Sequence, residues 1–248
     1  MNNLRLKNQD CKSFLKDISS NSVDLIIVDP PYFQISKEPW DNQWSDEHAY
    51  LHWCQTWVKY CSAILKPGGC FYIWGTTKTN TFLRFKLDVL DSGLFNLHYK
   101  NWIIWSYDWG GRTKKTWPRK HEDLLMYTKG NYDPLFNTDA VRVPYKMKNN
   151  IRNTAQNHPL GKIPTDVWEQ NNHTGSKEYV SWHPTQKPLA LLERIVLANS
   201  REEDTILDCF SGSGSTAIAA LRHNRKFIGC ELSEEYYEKS LDRIRKLT

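Results

Sequence analysis

Val23-Asp24-Leu25-Ile26-Ile27-Val28 is a nearly continuous apolar run that stops abruptly at Asp29-Pro30-Pro31-Tyr32. A strand with one wet face alternates apolar and polar residues. A run without alternation reads as a strand covered on both faces. The prolines behind it forbid both helix and ladder, because each lacks an N–H and restricts its predecessor. The same grammar recurs along the chain. A helical stretch from about 46 to 65 ends at Lys66-Pro67-Gly68-Gly69, a strong turn signal. Cys70 to Trp74, Asn101 to Trp105, Asp123 to Tyr127, Thr205 to Leu207 and Phe227 to Cys230 read as strands. Helices are expected at Thr79 to Leu90, from Pro188, over Ser215 to Arg222 and over Glu234 to Leu247. Strands alternating with helices predict an α/β fold with a doubly wound, mostly parallel sheet.

With 248 residues the chain supports one such domain carrying an inserted arm. No apolar run approaches the roughly 20 residues that cross a bilayer. The first residues, Met1-Asn2-Asn3-Leu4-Arg5, carry no apolar secretory core, so a cytoplasmic location is expected. The six cysteines, at 11, 54, 61, 70, 209 and 230, form no Cys-x-x-Cys pair. They read as reduced, mostly buried thiols, and no metal site is expected. The net charge of +5 is concentrated in one place. Between Arg112 and Arg152 there are ten Lys/Arg against four Asp/Glu, which leaves the rest of the chain close to neutral. Within it, Arg112, Lys114, Lys115, Arg119 and Lys120 cluster beside Trp109 and Trp117. A basic segment interleaved with aromatics suits phosphate contact together with base stacking or wedging; a solvated basic loop is the plainer alternative.

Two loops at strand ends carry chemistry, and the carboxyl ends of strands are where open α/β sheets bind ligands. One is Asp208-Cys209-Phe210-Ser211-Gly212-Ser213-Gly214-Ser215-Thr216. Gly212 and Gly214 allow a tight turn and close approach, and the helix opening near Ser215 presents free N–H groups. The next strand ends at Glu231, about 20 residues on, where nucleotide-binding folds place a carboxylate against ribose hydroxyls. A third glycine is missing, which disfavours the dinucleotide form and leaves an adenosine-bearing cofactor. The other loop is the tetrapeptide at 29–32. An exocyclic amine of adenine or cytosine is a poor nucleophile because its lone pair is delocalised into the ring. Acceptors for its hydrogens make the nitrogen more tetrahedral as it attacks a methyl group. The Asp29 carboxylate and the Pro30 carbonyl can be those acceptors. Pro31 fixes the loop, and Tyr32 offers a face for an unstacked base.

With both loops in view, the chain resembles the β-class amino DNA methyltransferases. In that family an (Asp/Ser/Asn)-Pro-Pro-(Tyr/Phe/Trp) loop comes first, a target-recognition region follows, and the cofactor loop comes last. The resemblance implies a circularly permuted Rossmann-like methyltransferase fold, with catalytic half 1–106, target-recognition insertion 107–182 holding one core strand near 123–127, and cofactor half 183–248. His183-Pro184-Thr185-Gln186-Lys187-Pro188 matches the segment before the cofactor loop, which implies Lys187 and Pro188 near the methionine end of S-adenosylmethionine. Asn8-Gln9-Asp10-Cys11 matches the N-terminal cofactor motif, which implies Asp10 and Cys11 against the adenine ring. Asp208, Phe210, Gly212, Gly214, Ser215 and Glu231 complete the implied cofactor site. The family's usual proline in this loop is replaced by Cys209. Asp29 resembles the adenine-N6 subgroup more than the cytosine-N4 one, where Ser is usual. The expected activity is therefore methylation of N6 on a flipped adenine in a short DNA sequence. Cytosine-N4 methylation and an inactive DNA-binding module of the same fold are the alternatives. The expected partner is duplex DNA; a homodimer and a companion restriction endonuclease stay open.

Overall fold

Ile26 and Val28 point to one side of the central strand and Leu25 and Ile27 to the other, and all four are sealed from water. In the computed structural model, which describes residues 3–110, 112–145, 158–171 and 177–248, this run is β2 (Val23–Val28). The other strands are β1 (Leu4–Asn8), β3 (Leu65–Gly75), β4 (Leu97–Ser106), β5 (His121–Lys129), β6 (Val167–Glu169), β7 (Thr205–Asp208) and β8 (Lys226–Glu231). They form one sheet in the order β1-β8-β7-β2-β3-β5-β4-β6. Every neighbouring pair is parallel except those made by β5, which runs against β3 and β4. The carboxyl ends of the parallel strands and the start of β5 therefore share one edge of the sheet.

Helices cover both faces, as the apolar run requires. On one face α1 (Cys11–Lys16), α2 (Glu47–Ile64) and α3 (Thr81–Phe85) pack Phe14, Trp57, Cys61 and Phe85 against Ile26, Val28, Phe71 and Ile73. On the other, α4 (Leu189–Asn199), α5 (Ser215–Arg222) and α6 (Glu234–Leu247) pack Leu192, Ile195, Ile218 and Ile244 with Leu25, Ile27 and Tyr72. Each fully buried aliphatic or aromatic side chain contributes about 1.5–3 kcal/mol, so the five buried side chains of β2 contribute on the order of 10 kcal/mol to holding the layers together. Asp24, the one charge in the run, is used on both flanks: it pairs with Lys66 at 2.6 Å and accepts from the Thr205 N–H at 2.9 Å. The six cysteines are free and buried. No helix among the described residues is long and apolar enough to cross a membrane.

Two features depart from the expected pattern. Lys66-Pro67-Gly68-Gly69 is not a connecting turn but a bulge inside β3: Leu65 pairs with Val23, and Cys70 already pairs with Leu25. Gly68, at φ +77°, absorbs the excess length. β1 is a short edge strand with only Leu6 buried, too brief to announce itself by pattern. The core strand expected near 123–127 divides the insertion around it. As β5 it lies between β3 and β4, with the loop 107–120 before it and a later stretch that returns β6 to the outer edge.

Candidate active site

β2 delivers Asp29 to the shared edge of the sheet, and the loop behind it is folded by a single buried carboxylate. Asp41 accepts from the Tyr32 N–H (2.8 Å), the Ser36 N–H (3.0 Å) and the Ser36 hydroxyl (2.7 Å). The Pro31 carbonyl accepts from the Tyr50 hydroxyl at 3.2 Å. Among the described residues no protein donor reaches the Pro30 carbonyl. Asp29 itself is doubly engaged. Its Oδ1 accepts from the Tyr32 hydroxyl and its Oδ2 from the Lys187 ammonium, each at 2.6 Å. The Tyr32 ring is thus held beside Asp29 by its hydroxyl as well as presenting a face. Burial and the neighbouring Asp29 push that hydroxyl well above the usual tyrosine range. A carboxylate offers about four lone-pair sites, so Asp29 keeps room for a further donor.

Lys187 reaches the edge from the segment before α4. Burial opposes its charge, but Asp29 at 2.6 Å and Glu122 at 3.1 Å outweigh burial and raise its pKa. The ammonium also lies 5.3 Å from the centre of the Trp74 ring. Glu122, at the start of β5, is pushed upward by burial against the pull of Lys187.

The second loop follows β7. Asp208 spends its carboxylate on the loop itself, accepting from the Phe210 N–H (3.0 Å) and the Thr216 hydroxyl (2.7 Å). Burial pushes its pKa up to about 7. Arg243 clamps the same loop from α6 through the Ser213 carbonyl (2.7 Å) and the Ser215 hydroxyl (2.9 Å). Gly212 turns at φ +47°, and a Cβ there would lie 2.7 Å from His183 Nε2, so only glycine fits. The Glu231 carboxylate accepts from the Gly212 N–H (2.8 Å) and the Ser233 N–H (2.9 Å), which fixes it at the end of β8.

These parts open onto one cavity of about 960 Å³. Of the residues expected from sequence, Asp29, Pro30, Pro31, Tyr32, Asp10, Cys11, Lys187, Phe210, Gly212 and Glu231 line it. Pro188, Asp208, Gly214 and Ser215 do not line it. Pro188 instead caps the start of α4, and Gly214, at φ +76°, opens α5. Asp10 lines the cavity while it caps α1 through the Lys12 and Ser13 N–H groups, both at 3.1 Å. Arg112, Lys114, Lys115, Arg119 and Lys120 are all exposed on the β4–β5 loop, at the same edge of the sheet. Trp109 from that loop reaches the cavity wall, whereas Trp117 is 95% exposed.

Sequence reasoning missed several wall residues. Glu122 announces itself only as a carboxylate heading an apolar strand. Trp40, His183 and Tyr236 form an aromatic cluster, with His183 4.9 Å from Tyr236 and stacked at 6.3 Å on Trp40. Burial pushes His183 down to about 4, which makes it neutral at pH 7.

The pattern of the DNA methylase family, whose members modify N6 or N4 amino groups, matches residues 23–242. The chain belongs to this family. It is 36% identical over 235 residues to the type II methyltransferase M.HpaI of Haemophilus parainfluenzae, covering 93% of this chain and 70% of that one. It is 35% identical over 247 residues to the DNA adenine methyltransferase YhdJ of Escherichia coli, covering 95% and 80%. Among solved structures, the cytosine-N4-specific PvuII DNA methyltransferase superposes with a TM-score of 0.72 at 18% identity, covering 96% of this chain and 85% of that one. The complex of M1.HpyAVI with its cofactor superposes at 0.67 and 23% identity, covering 97% and 98%.

S-adenosylmethionine is the methyl donor of such enzymes, and the cavity fits it. The Glu231 carboxylate suits a pair of ribose hydroxyls, and Phe210 and Cys11 offer apolar wall to a purine. Among the described residues the buried Ser211 hydroxyl has no hydrogen-bond partner. A volume of about 960 Å³ lies at the upper end of ligand pockets, with room for a nucleoside and a second base.

Proposed function

We propose that the methylase transfers a methyl group to N6 of an adenine flipped out of duplex DNA. The observation that carries this reading is that the Asp29 carboxylate and the Glu231 cofactor wall line one cavity. Bound S-adenosylmethionine supplies a methyl group on a positively charged sulfur. The protein's own part is to bind, orient and polarise the amine. The Asp29 carboxylate accepts a hydrogen bond from one amino hydrogen, and the Pro30 carbonyl, unengaged among the described residues, accepts one from the other. Asp41 holds the loop rigid so that both acceptors stay aimed, which is preorganisation rather than acid–base chemistry. Tyr32 and the aromatic wall accept a base face once it leaves the stack. Lys187, Phe210, Gly212 and Glu231, with Asp10 and Cys11, hold the donor. The adenine assignment is supported by Asp29 and by the name of the Escherichia coli relative, a DNA adenine methyltransferase at 35% identity. Mass spectrometry of nucleosides from duplex DNA incubated with enzyme and S-adenosylmethionine tests it. N6-methyladenine is expected, and N4-methylcytosine would reverse the assignment.

The basic β4–β5 loop is the DNA-binding arm in this reading. Its lysines and arginines meet phosphates, and Trp117, whose ring is exposed to solvent, wedges into the stack. Replacing Lys114, Lys115 and Arg119 together with alanine is expected to weaken binding equally across sequences. The log–log salt dependence should become shallower by about 2.7, the loss of three phosphate contacts. Fluorescence anisotropy between low and moderate salt measures the slope; an unchanged value removes the arm from the DNA interface.

A further inference from the structure

We propose that Glu122 is a positioning residue for methyl transfer: it shares the Lys187 ammonium with Asp29 and so keeps net negative charge on the side of the cavity where the amine is activated. The inference rests on the reading of Asp29 as acceptor of the amine. Three elements meet here. Asp29 follows β2, Glu122 is the second residue of β5 on the far side of β3, and Lys187 precedes α4. The ammonium lies 2.6 Å from Asp29 Oδ2 and 3.1 Å from Glu122 Oε2. The lysine side chain is only 8% exposed and each carboxylate 24%.

Glu122 has no structural employment to explain its cost. Its Oε2 is shut off from solvent, and among the described residues its one ion-pair partner is Lys187. The next residue shows what a structural carboxylate looks like. Asp123 accepts from the Thr77 N–H (3.0 Å), the Thr77 hydroxyl (3.1 Å) and Trp102 Nε1 (2.8 Å), pinning the loop after β3. Strand alternation turns Asp123 that way and Glu122 into the cavity. A buried carboxylate with so little hydrogen bonding in return is a feature that needs a reason.

Charge counting supplies one. An Asp29–Lys187 pair alone is neutral, and an ammonium at 2.6 Å would quench the carboxylate as an acceptor. With Glu122 the trio carries one net negative charge. As the amine's lone pair forms the new bond to the methyl carbon, the carbon–sulfur bond breaks and its electron pair goes to sulfur, and positive charge gathers on nitrogen until the proton passes by way of Asp29 to solvent. A fixed negative charge alongside favours that moment more than it favours binding of the neutral base.

Single-turnover methyl transfer at saturating DNA and S-adenosylmethionine separates charge from shape. Glu122→Gln keeps the shape and loses the charge. It is expected to slow the chemical step about 10- to 50-fold while KM for DNA and cofactor affinity stay within about twofold. Glu122→Asp keeps the charge and is expected to recover at least about fivefold over the glutamine variant. An unchanged rate in Glu122→Gln, or equal losses in both variants, overturns the proposal. So does a loss confined to KM or to cofactor binding, which would make Glu122 a structural residue. Rates are compared with wild type on whichever amino group the wild type methylates, so a cytosine product corrects the substrate and leaves the comparison intact. A wild type that transfers no methyl group overturns the reading of the site and this inference with it.

Discussion

Asp29→Ala is expected to lower the single-turnover rate of methyl transfer by at least about a thousandfold, at the upper end of what losing one preorganised polar contact costs. Cofactor affinity should stay within about twofold, because Glu231 and the cofactor loop are held by contacts that do not involve Asp29. The variant should also fold. Its loss strands no charge, since Lys187 retains Glu122 at 3.1 Å. The loop stays closed through Asp41 on the Tyr32 and Ser36 N–H groups. Isothermal titration with S-adenosylmethionine and radiolabelled methyl transfer to duplex DNA read the two properties separately. Near-normal turnover would sink the role given to Asp29.

The second large effect comes from the cation between the carboxylates. Lys187→Met leaves Asp29 and Glu122 facing one another with no counterion. Removing one partner of a mostly buried ion pair costs about 3–5 kcal/mol, and exposure of a quarter of each carboxylate points to the lower figure. The deficit should depend on pH in a definite direction. Burial already raises Glu122 above its unfolded value of about 4.3, and loss of the ammonium raises it further. A group whose folded pKa is raised contributes its stability below the unfolded pKa and loses it as pH climbs through the folded one. The variant should therefore approach wild-type stability near about pH 5 and fall furthest behind near about pH 8. In the wild type the lysine's own raised pKa keeps this contribution present across the same window and loses it only above the lysine range. Urea unfolding of both proteins at the two pH values measures the gap, and an equal gap at both would count against an uncompensated carboxylate pair.

Much of this was legible from residues alone, for identifiable reasons. β2 could be read because burial on both faces leaves no alternation to interpret. The tetrapeptide and the Gly212–Gly214 loop could be read because prolines and glycines restrict the backbone locally. β1 could not, since five residues with one buried side chain carry almost no signal. The Pro67-Gly68 pair looked like a turn and is a bulge, because the choice depends on the register of a partner strand. Asp208 looked like a ligand-facing acid and is mostly an internal tie of its own loop. Glu122 was invisible for a deeper reason: its meaning depends on Lys187, 65 residues away, and on the antiparallel insertion of β5 beside β3. Pairwise chemistry across a sheet is set by topology, which local pattern does not encode.

β1 lies in parallel register against β8, with Leu4 opposite Phe227 and Asn8 opposite Glu231. The Gln9 N–H and the Asn8 side-chain amide both donate to the Glu231 carbonyl, at 3.0 Å and 2.9 Å. β1 and β8, the first and last strands along the chain, thus stitch together the wall proposed to hold the cofactor, with Cys11 on one side of the seam and Glu231 on the other. During synthesis the ribosome releases Asp29 and its loop early, long before Lys187 and β8 emerge. Pairing across such a sequence distance is slow to form. On the proposed reading of the site, a product cut short before β8 carries the tetrapeptide without Glu231 and is expected to be inert rather than indiscriminate.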